Sequence, residues 1–252
     1  MKIDINCDMG ESFGQYRVGN DDAIFPYITS SNIACGFHGG DPVHIEKTIN
    51  SAIEHGVQIG AHPSYPDLGG FGRRFMQVKK SELKSILKYQ IAAIKGLVEC
   101  KGAKLIYVKP HGALYNQAAR DEAETTVIIE ALQEIDPTLI LMGLAGSTTE
   151  RVCKKRDITF VAEAFADRKY EPDGSLRSRL KPGAVIHDPE EAAAQVLSIV
   201  KEKKVLAHGG LEIPIVAQSI CIHGDNPTAI DILKKIEVAL AENNILKKGF
   251  AK

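Results

Sequence analysis

Short apolar runs rich in Ile and Val alternate along the chain with longer stretches of helical periodicity. The short runs predict strands at Lys2–Asp8, Asn32–Cys35, Val57–Ala61, Leu105–Lys109, Leu139–Met142, Thr159–Ala164 and Val216–Ile222. The longer stretches predict helices. Asp41 is placed to cap a helix with Pro42 at its first position; Ile45, Ile49, Ala52 and Ile53 form its apolar face, and Gly56 stops it. Ser81 opens a second helix, with Leu83, Ile86, Leu87, Gln90, Ile91, Ile94 and Val98 at helical spacing. Asp188 and Glu191 read as a capping box around Pro189. Asn226 and Pro227 start a helix that carries Ile230, Leu233, Ile236 and Leu240.

Strand followed by helix, repeated, predicts a mostly parallel sheet, because parallel neighbours need a crossover of helical length. Seven such units without a linker favour a closed or nearly closed barrel over an open sheet. The expected fold is therefore α/β, a seven-stranded, mostly parallel β/α barrel, with residues 1–252 as one domain.

Two segments break the alternation. His62–Phe75 is rich in Gly and Pro and carries Arg73 and Arg74, and Asp167–Gly183 contains the turn signal Asp173-Gly174. Long irregular segments in a compact fold usually serve as binding loops or lids, and their basic and aromatic content suits that use.

Composition narrows the class. Of 252 residues, 44% are apolar and 25% charged, with a formal net charge of −1, so a sizeable core is expected and neither nucleic acid nor a membrane surface is an expected partner. Five scattered cysteines without a CxxC pair, and an acidic start with no export signal, lead us to expect a cytoplasmic protein with reduced thiols.

In parallel barrels the reactive groups sit where strands end. Here the strand exits carry Asn6 and Asp8, then Glu11; His38; His62; Lys109 and His111; Glu163, followed by Asp167 and Arg168; and His223 with Asp225. One such histidine would mean little. Several ionisable exits together point to a site, because such groups cost desolvation energy unless paired or used. Asp and His suit general acid–base work or metal ligation. HExxH and His-x-His signatures are absent from the sequence, as are a P-loop and a GxSxG elbow. A His/Asp metal site assembled from distant strands stays open as a second reading, so a divalent metal is possible. Cys35 reads as a buried structural thiol. Lys109, beside His111, is placed to stabilise developing negative charge.

These residues lie in seven ordered segments: DINCDMGES (Asp4–Ser12), NIACGFHGGDP (Asn32–Pro42), GAHPSYPD (Gly60–Asp67), GFGRR (Gly70–Arg74), VKPHGALYN (Val108–Asn116), EAFADRKYEPDGSLRSR (Glu163–Arg179) and ICIHGDNP (Ile220–Pro227). Together they resemble the LamB/YcsF family from Asp4 to about Pro227, with no departure from its pattern. The resemblance implies a seven-stranded barrel of the glycoside hydrolase/deacetylase type. It also implies ATP-dependent opening of 5-oxo-L-proline to L-glutamate, in a 5-oxoprolinase complex with partner subunits B and C, and ATP as a cosubstrate.

On both grounds Asp8, His38, His62, Lys109, His111 and Glu163 are expected to be catalytic. Asn6, Arg73, Asp167, Arg168, Tyr170, Arg179 and His223 are expected to bind substrate. Two other classes remain open: a metal-dependent amide or carbohydrate hydrolase without ATP, and a non-catalytic substrate-binding subunit.

Overall fold

The computed structural model describes residues 1–251. Its strands are β1 (Lys2–Met9), β2 (Ser30–Ala34), β3 (Gln58–His62), β4 (Leu105–Val108), β5 (Ile140–Leu144), β6 (Phe160–Phe165), β7 (Lys204–Leu206), β8 (Glu212–Pro214), β9 (Ser219–His223) and β10 (Leu246–Lys247). Strands β1 to β6 follow one another around a sheet, β9 takes the next place beside β6, and β9 pairs back to β1. All of these pairings are parallel, so seven strands close a barrel. The short β10 adds to β1, and β7 with β8 forms an antiparallel hairpin outside the barrel. Neither was predicted, because strands of two or three residues are too short to set up a readable alternation.

The helices are α1 (Asp21–Ile24), α2 (Pro42–Glu54), α3 (Lys80–Cys100), α4 (Gly112–Ala118), α5 (Glu122–Ile135), α6 (Thr148–Lys155), α7 (Pro189–Leu197) and α8 (Ala229–Glu242). No helix among the described residues is long and apolar enough to cross a membrane. Asp41 caps α2 as expected, its carboxylate accepting from the N–H groups of Val43 and His44. Four expectations need correction. Helix α3 starts one residue earlier than Ser81, behind Lys79 and without a side-chain cap. Asp188 caps α7, but Glu191 pairs with Lys169 instead of reaching back. Helix α8 starts after Thr228, because the Asn226 amide is used elsewhere, donating to Asp167 and to the Ile186 carbonyl. Ile53, placed on the apolar face of α2, is exposed.

Strand alternation sorts β1 into two faces. Ile3, Ile5, Cys7 and Met9 belong to the large apolar core between barrel and helices. Asp4, Asn6 and Asp8 turn the other way, into a polar barrel interior, and are buried. There the Asn6 amide donates to Ser219 Oγ at 2.7 Å, and Asn32 Nδ2 donates to Asn6 Oδ1 at 2.7 Å and Asp8 Oδ1 at 2.8 Å. The Tyr107 hydroxyl donates to Asn32 Oδ1 at 2.7 Å. Tyr107 needs Gly60 on the neighbouring strand, since a Cβ there would lie 2.3 Å from its ring. Asp4, lower in the same interior, accepts from the hydroxyls of Thr29, Ser30 and Ser219. Each of these buried polar side chains finds a partner, which is the condition for such an interior to be tolerated.

Candidate active site

The strand exits converge as expected. A cleft of about 970 Å³ opens at that end of the barrel, with Asp8, His62, Lys109, His111, Phe165 and His223 in its lining. The two irregular segments supply part of its wall: Arg73 and Arg74 from the first, and Pro172 to Ser175, Ser178 and Arg179 from the second. The Asp173-Gly174 turn forms as predicted, closed by a bridge between Tyr170 and Leu176.

Three charges sit together on the floor. Lys109 Nζ lies 3.0 Å from Asp8 Oδ1 and 2.7 Å from Glu163 Oε1. The same ammonium is 3.2 Å from Asn6 Oδ1 and 3.2 Å from Cys221 Sγ. Burial works against the Lys109 charge, but the carboxylates beside it outweigh burial and hold its pKa well above the usual range. Burial likewise works against the Asp8 carboxylate, and His62 and Lys109 overcome it, so Asp8 stays ionised well below its usual pKa. Glu163 has its other oxygen on the Tyr115 hydroxyl at 2.8 Å.

Histidines fill the adjoining corner. His62 Nε2 is 3.3 Å from Asp8 Oδ2 and 3.0 Å from His111 Nδ1. His38 stacks on His111 with ring centroids 3.7 Å apart and an angle of 2°, and Glu11 Oε1 lies 3.2 Å from His38 Nε2. Gly72 has φ of +64°, and a Cβ there would lie 2.6 Å from the His111 ring and 2.8 Å from His38 Cβ. The GFGRR segment can therefore close over the stack only with glycine at that point. Burial drives His38 and His111 towards the neutral form. Burial together with Asp8 pushes the Glu11 carboxyl well above its usual pKa.

Across the cleft, His223 Nδ1 lies 2.9 Å from Asp167 Oδ1, and its ring stacks on Phe165. Asp167 also accepts the His223 N–H at 3.1 Å, so this buried carboxylate fixes the ring. On the rim, Asp225 pairs with Arg73 and with Arg179. Arg168 spends two donors on the carbonyls of Ala184 and Arg177. Burial and the neighbouring Arg179 bring its pKa down to about 10, which leaves it a cation at neutral pH.

Not every expected residue reaches the cleft. Asn6, Asp167 and Tyr170, expected to touch substrate, are fully enclosed and absent from its lining. Tyr170 instead accepts the Phe165 N–H with its hydroxyl at 2.8 Å, tying the second segment to β6. Glu163 and His38 stand one layer behind the lining, touching Lys109 and His111 respectively. Glu11, Asn32, Tyr115 and Asp225 carry the network without having been expected to be catalytic or to bind substrate. Glu11 and Asp225 do lie at strand exits, three residues after Asp8 and two after His223, and that position was their signal. Cys35 is buried and its thiol is pushed up by burial, which fits a structural role.

The sequence profile of the LamB/YcsF family matches residues 3–252. The A component of 5-oxoprolinase from Acinetobacter baumannii (strain ACICU) is 49% identical over 250 residues, which is 99% of this chain and 98% of that protein. The crystal structure of a lactam utilization protein from Thermus thermophilus superposes with a TM-score of 0.93 at 42% identity, covering 99% of this chain and 100% of that one. A family 4 carbohydrate esterase from Streptomyces lividans shares the fold, with a TM-score of 0.52 at 10% identity over 99% of this chain and 93% of that one.

Proposed function

This chain belongs to the LamB/YcsF family, and from that premise we propose that it carries the site where the 5-oxo-L-proline lactam is hydrolysed to L-glutamate, coupled to ATP and in complex with partner subunits B and C. The observation that carries the reading is the pairing of an ionised Asp8 with Lys109 on the floor of a cleft whose rim is lined by arginines. The Acinetobacter relative, named as a 5-oxoprolinase component, supports the substrate, and the lactam utilization protein supports the class of bond.

A five-membered lactam is a stable amide with a poor leaving group. ATP phosphorylates its carbonyl oxygen and ADP leaves. Water adds to the activated carbon and gives up a proton to Asp8, whose carboxylate is kept anionic by Lys109. The ring C–N bond breaks, the nitrogen takes a proton, and the resulting acyl phosphate is hydrolysed by a second water. Lys109 offers its ammonium to the negative charge that develops on oxygen. Glu163, Asn6 and Asn32 act as positioning residues that hold Lys109 and Asp8 in register. On the opposite wall, Asp167 orients His223 to face the substrate. Arg179 and Arg168 supply the cationic side for the substrate carboxylate and the phosphoryl group.

The test is to mix the chain with subunits B and C and to follow ADP release with and without 5-oxoproline. The proposal expects ADP release to depend on 5-oxoproline and to match glutamate formation. ADP release that ignores 5-oxoproline, or glutamate formed without ATP, would remove the coupling from this reading.

A further inference from the structure

Beside the floor lies a cluster that the proposed reaction does not use. His62 Nδ1 is 2.6 Å from the Lys109 carbonyl oxygen, and His111 Nε2 is 2.8 Å from the Phe71 carbonyl oxygen. A carbonyl oxygen only accepts, so each of these nitrogens carries the proton of its ring. In neutral rings that leaves His62 Nε2 and His111 Nδ1 as bare lone pairs, facing each other at 3.0 Å. With Asp8 Oδ2 a further acceptor 3.3 Å from His62 Nε2, lone pairs at that distance repel unless a metal ion or an extra ring proton lies among them. The Glu11 carboxylate stands at the same place, 3.6 Å from His111 Nδ1.

We propose that Glu11, His62 and His111 form a binding site for a divalent transition-metal ion of the imidazole-preferring class, with zinc as its representative. Metal–nitrogen bonds near 2.1 Å put neighbouring donor atoms about 2.9 Å apart in an octahedron and about 3.4 Å apart in a tetrahedron. The separations of 3.0 Å and 3.6 Å here are close to those values. The backbone carbonyls on the far nitrogens are the supporting contacts that metal-ligating histidines use to fix their tautomer. His38 belongs to the same cluster of potential donors. Its parallel stack on His111 keeps the two rings' in-plane lone pairs side by side instead of convergent, so His38 joins only by tilting.

Two imidazoles and one carboxylate suit zinc and its neighbours better than magnesium, which takes oxygen donors and keeps its waters. The site is thus distinct in chemistry from the magnesium that accompanies a nucleotide. His62 and His111 both line the cleft, so the ion is reachable from it. When bound, it supplies a Lewis acid beside Asp8. The inference stands apart from the ATP-coupled reaction, because binding belongs to this chain alone and needs neither partner nor substrate.

The test uses the full chain, stripped with chelator and dialysed. Titration with zinc should give one tight equivalent per chain by calorimetry and by elemental analysis, undisturbed by millimolar magnesium. X-ray absorption should show a nitrogen and oxygen shell at about 2.0–2.1 Å with imidazole scattering. His62→Asn and His111→Asn should each weaken binding at least tenfold, while His55→Asn, on the exposed end of α2, should bind like the parent. Should those variants fail to fold, ring ¹⁵N spectra of the parent decide: zinc must shift the resonances of His62 and His111. Less than a tenth of an equivalent bound, or zinc bound with those resonances unmoved, overturns the site and leaves a shared proton between the two rings.

Discussion

The floor of the cleft and its rim both carry paired charges, but they hold them under opposite conditions. On the floor the side chains of Lys109, Asp8 and Glu163 are 3%, 7% and 0% exposed, and each is locked by several contacts. On the rim Arg73, Arg179 and Asp225 are 37%, 26% and 20% exposed. An enclosed pair is weakly screened and costly to break, whereas a wet pair contributes little and rearranges easily. The floor is therefore suited to chemistry that needs fixed geometry, and the rim to capturing a charged ligand. If that division holds, substitutions should separate into those that destroy both fold stability and turnover and those that change affinity alone.

The largest effect is expected for Lys109→Met. It strands Asp8 and Glu163 without their cation, and removing one partner of a buried charge pair costs about 3–5 kcal/mol. Chemical denaturation should register that loss, and glutamate formation should fall below detection. A stable, active Lys109→Met protein would erase the contrast between floor and rim.

Next comes the pH response at the bottom of the barrel interior. Burial raises the Asp4 pKa from 3.8 to about 6 even though three hydroxyls donate to it. A carboxyl whose folded pKa is raised contributes stability that is fully present below about pH 4 and is lost as pH rises through about 6. The shift corresponds to roughly 3 kcal/mol at most. In denaturation measured from about pH 4 to about pH 7, Asp4→Asn should remove that part of the slope. An unchanged slope would mean that Asp4 does not titrate in this window.

Arg179→Ala should have the smallest effect on stability, within about 1 kcal/mol, because its ion pair lies at the wet rim. It should raise KM for the anionic substrate severalfold with a smaller change in kcat. A large fall in kcat at constant KM would move Arg179 from the rim's role to the floor's.

Much of this division was legible in the chain. The strand exits of a parallel barrel share one mouth, so Asp8, His62, Lys109, His111 and His223 could be grouped before any coordinates. Depth was not legible. Tyr170 reads like a loop aromatic facing a ligand, yet the short bridge to Leu176 turns it inward onto the Phe165 N–H. Asn6 and Asp167 carry polar side chains at strand exits, and only three-dimensional neighbours decide that they hold Lys109 and His223 and do not meet the cleft. The polar interior was hidden for a related reason. Asp4, Asn6 and Asp8 alternate with apolar residues as in any half-wet strand, and alternation does not say which face points into a closed barrel. Capping was misjudged where a competing contact won, as when Asn226 served Asp167 instead of α8.

The most direct test of the account replaces Asp8 with Asn in the reconstituted complex and measures glutamate formation from 5-oxoproline and ATP. Asparagine keeps the size and the contact with Asn32 but cannot take a proton from water. The account predicts a loss of about 10²–10⁴-fold in kcat, the range typical of a lost general base, in a chain that still folds. A folded Asp8→Asn protein that forms glutamate at the parent rate would contradict it.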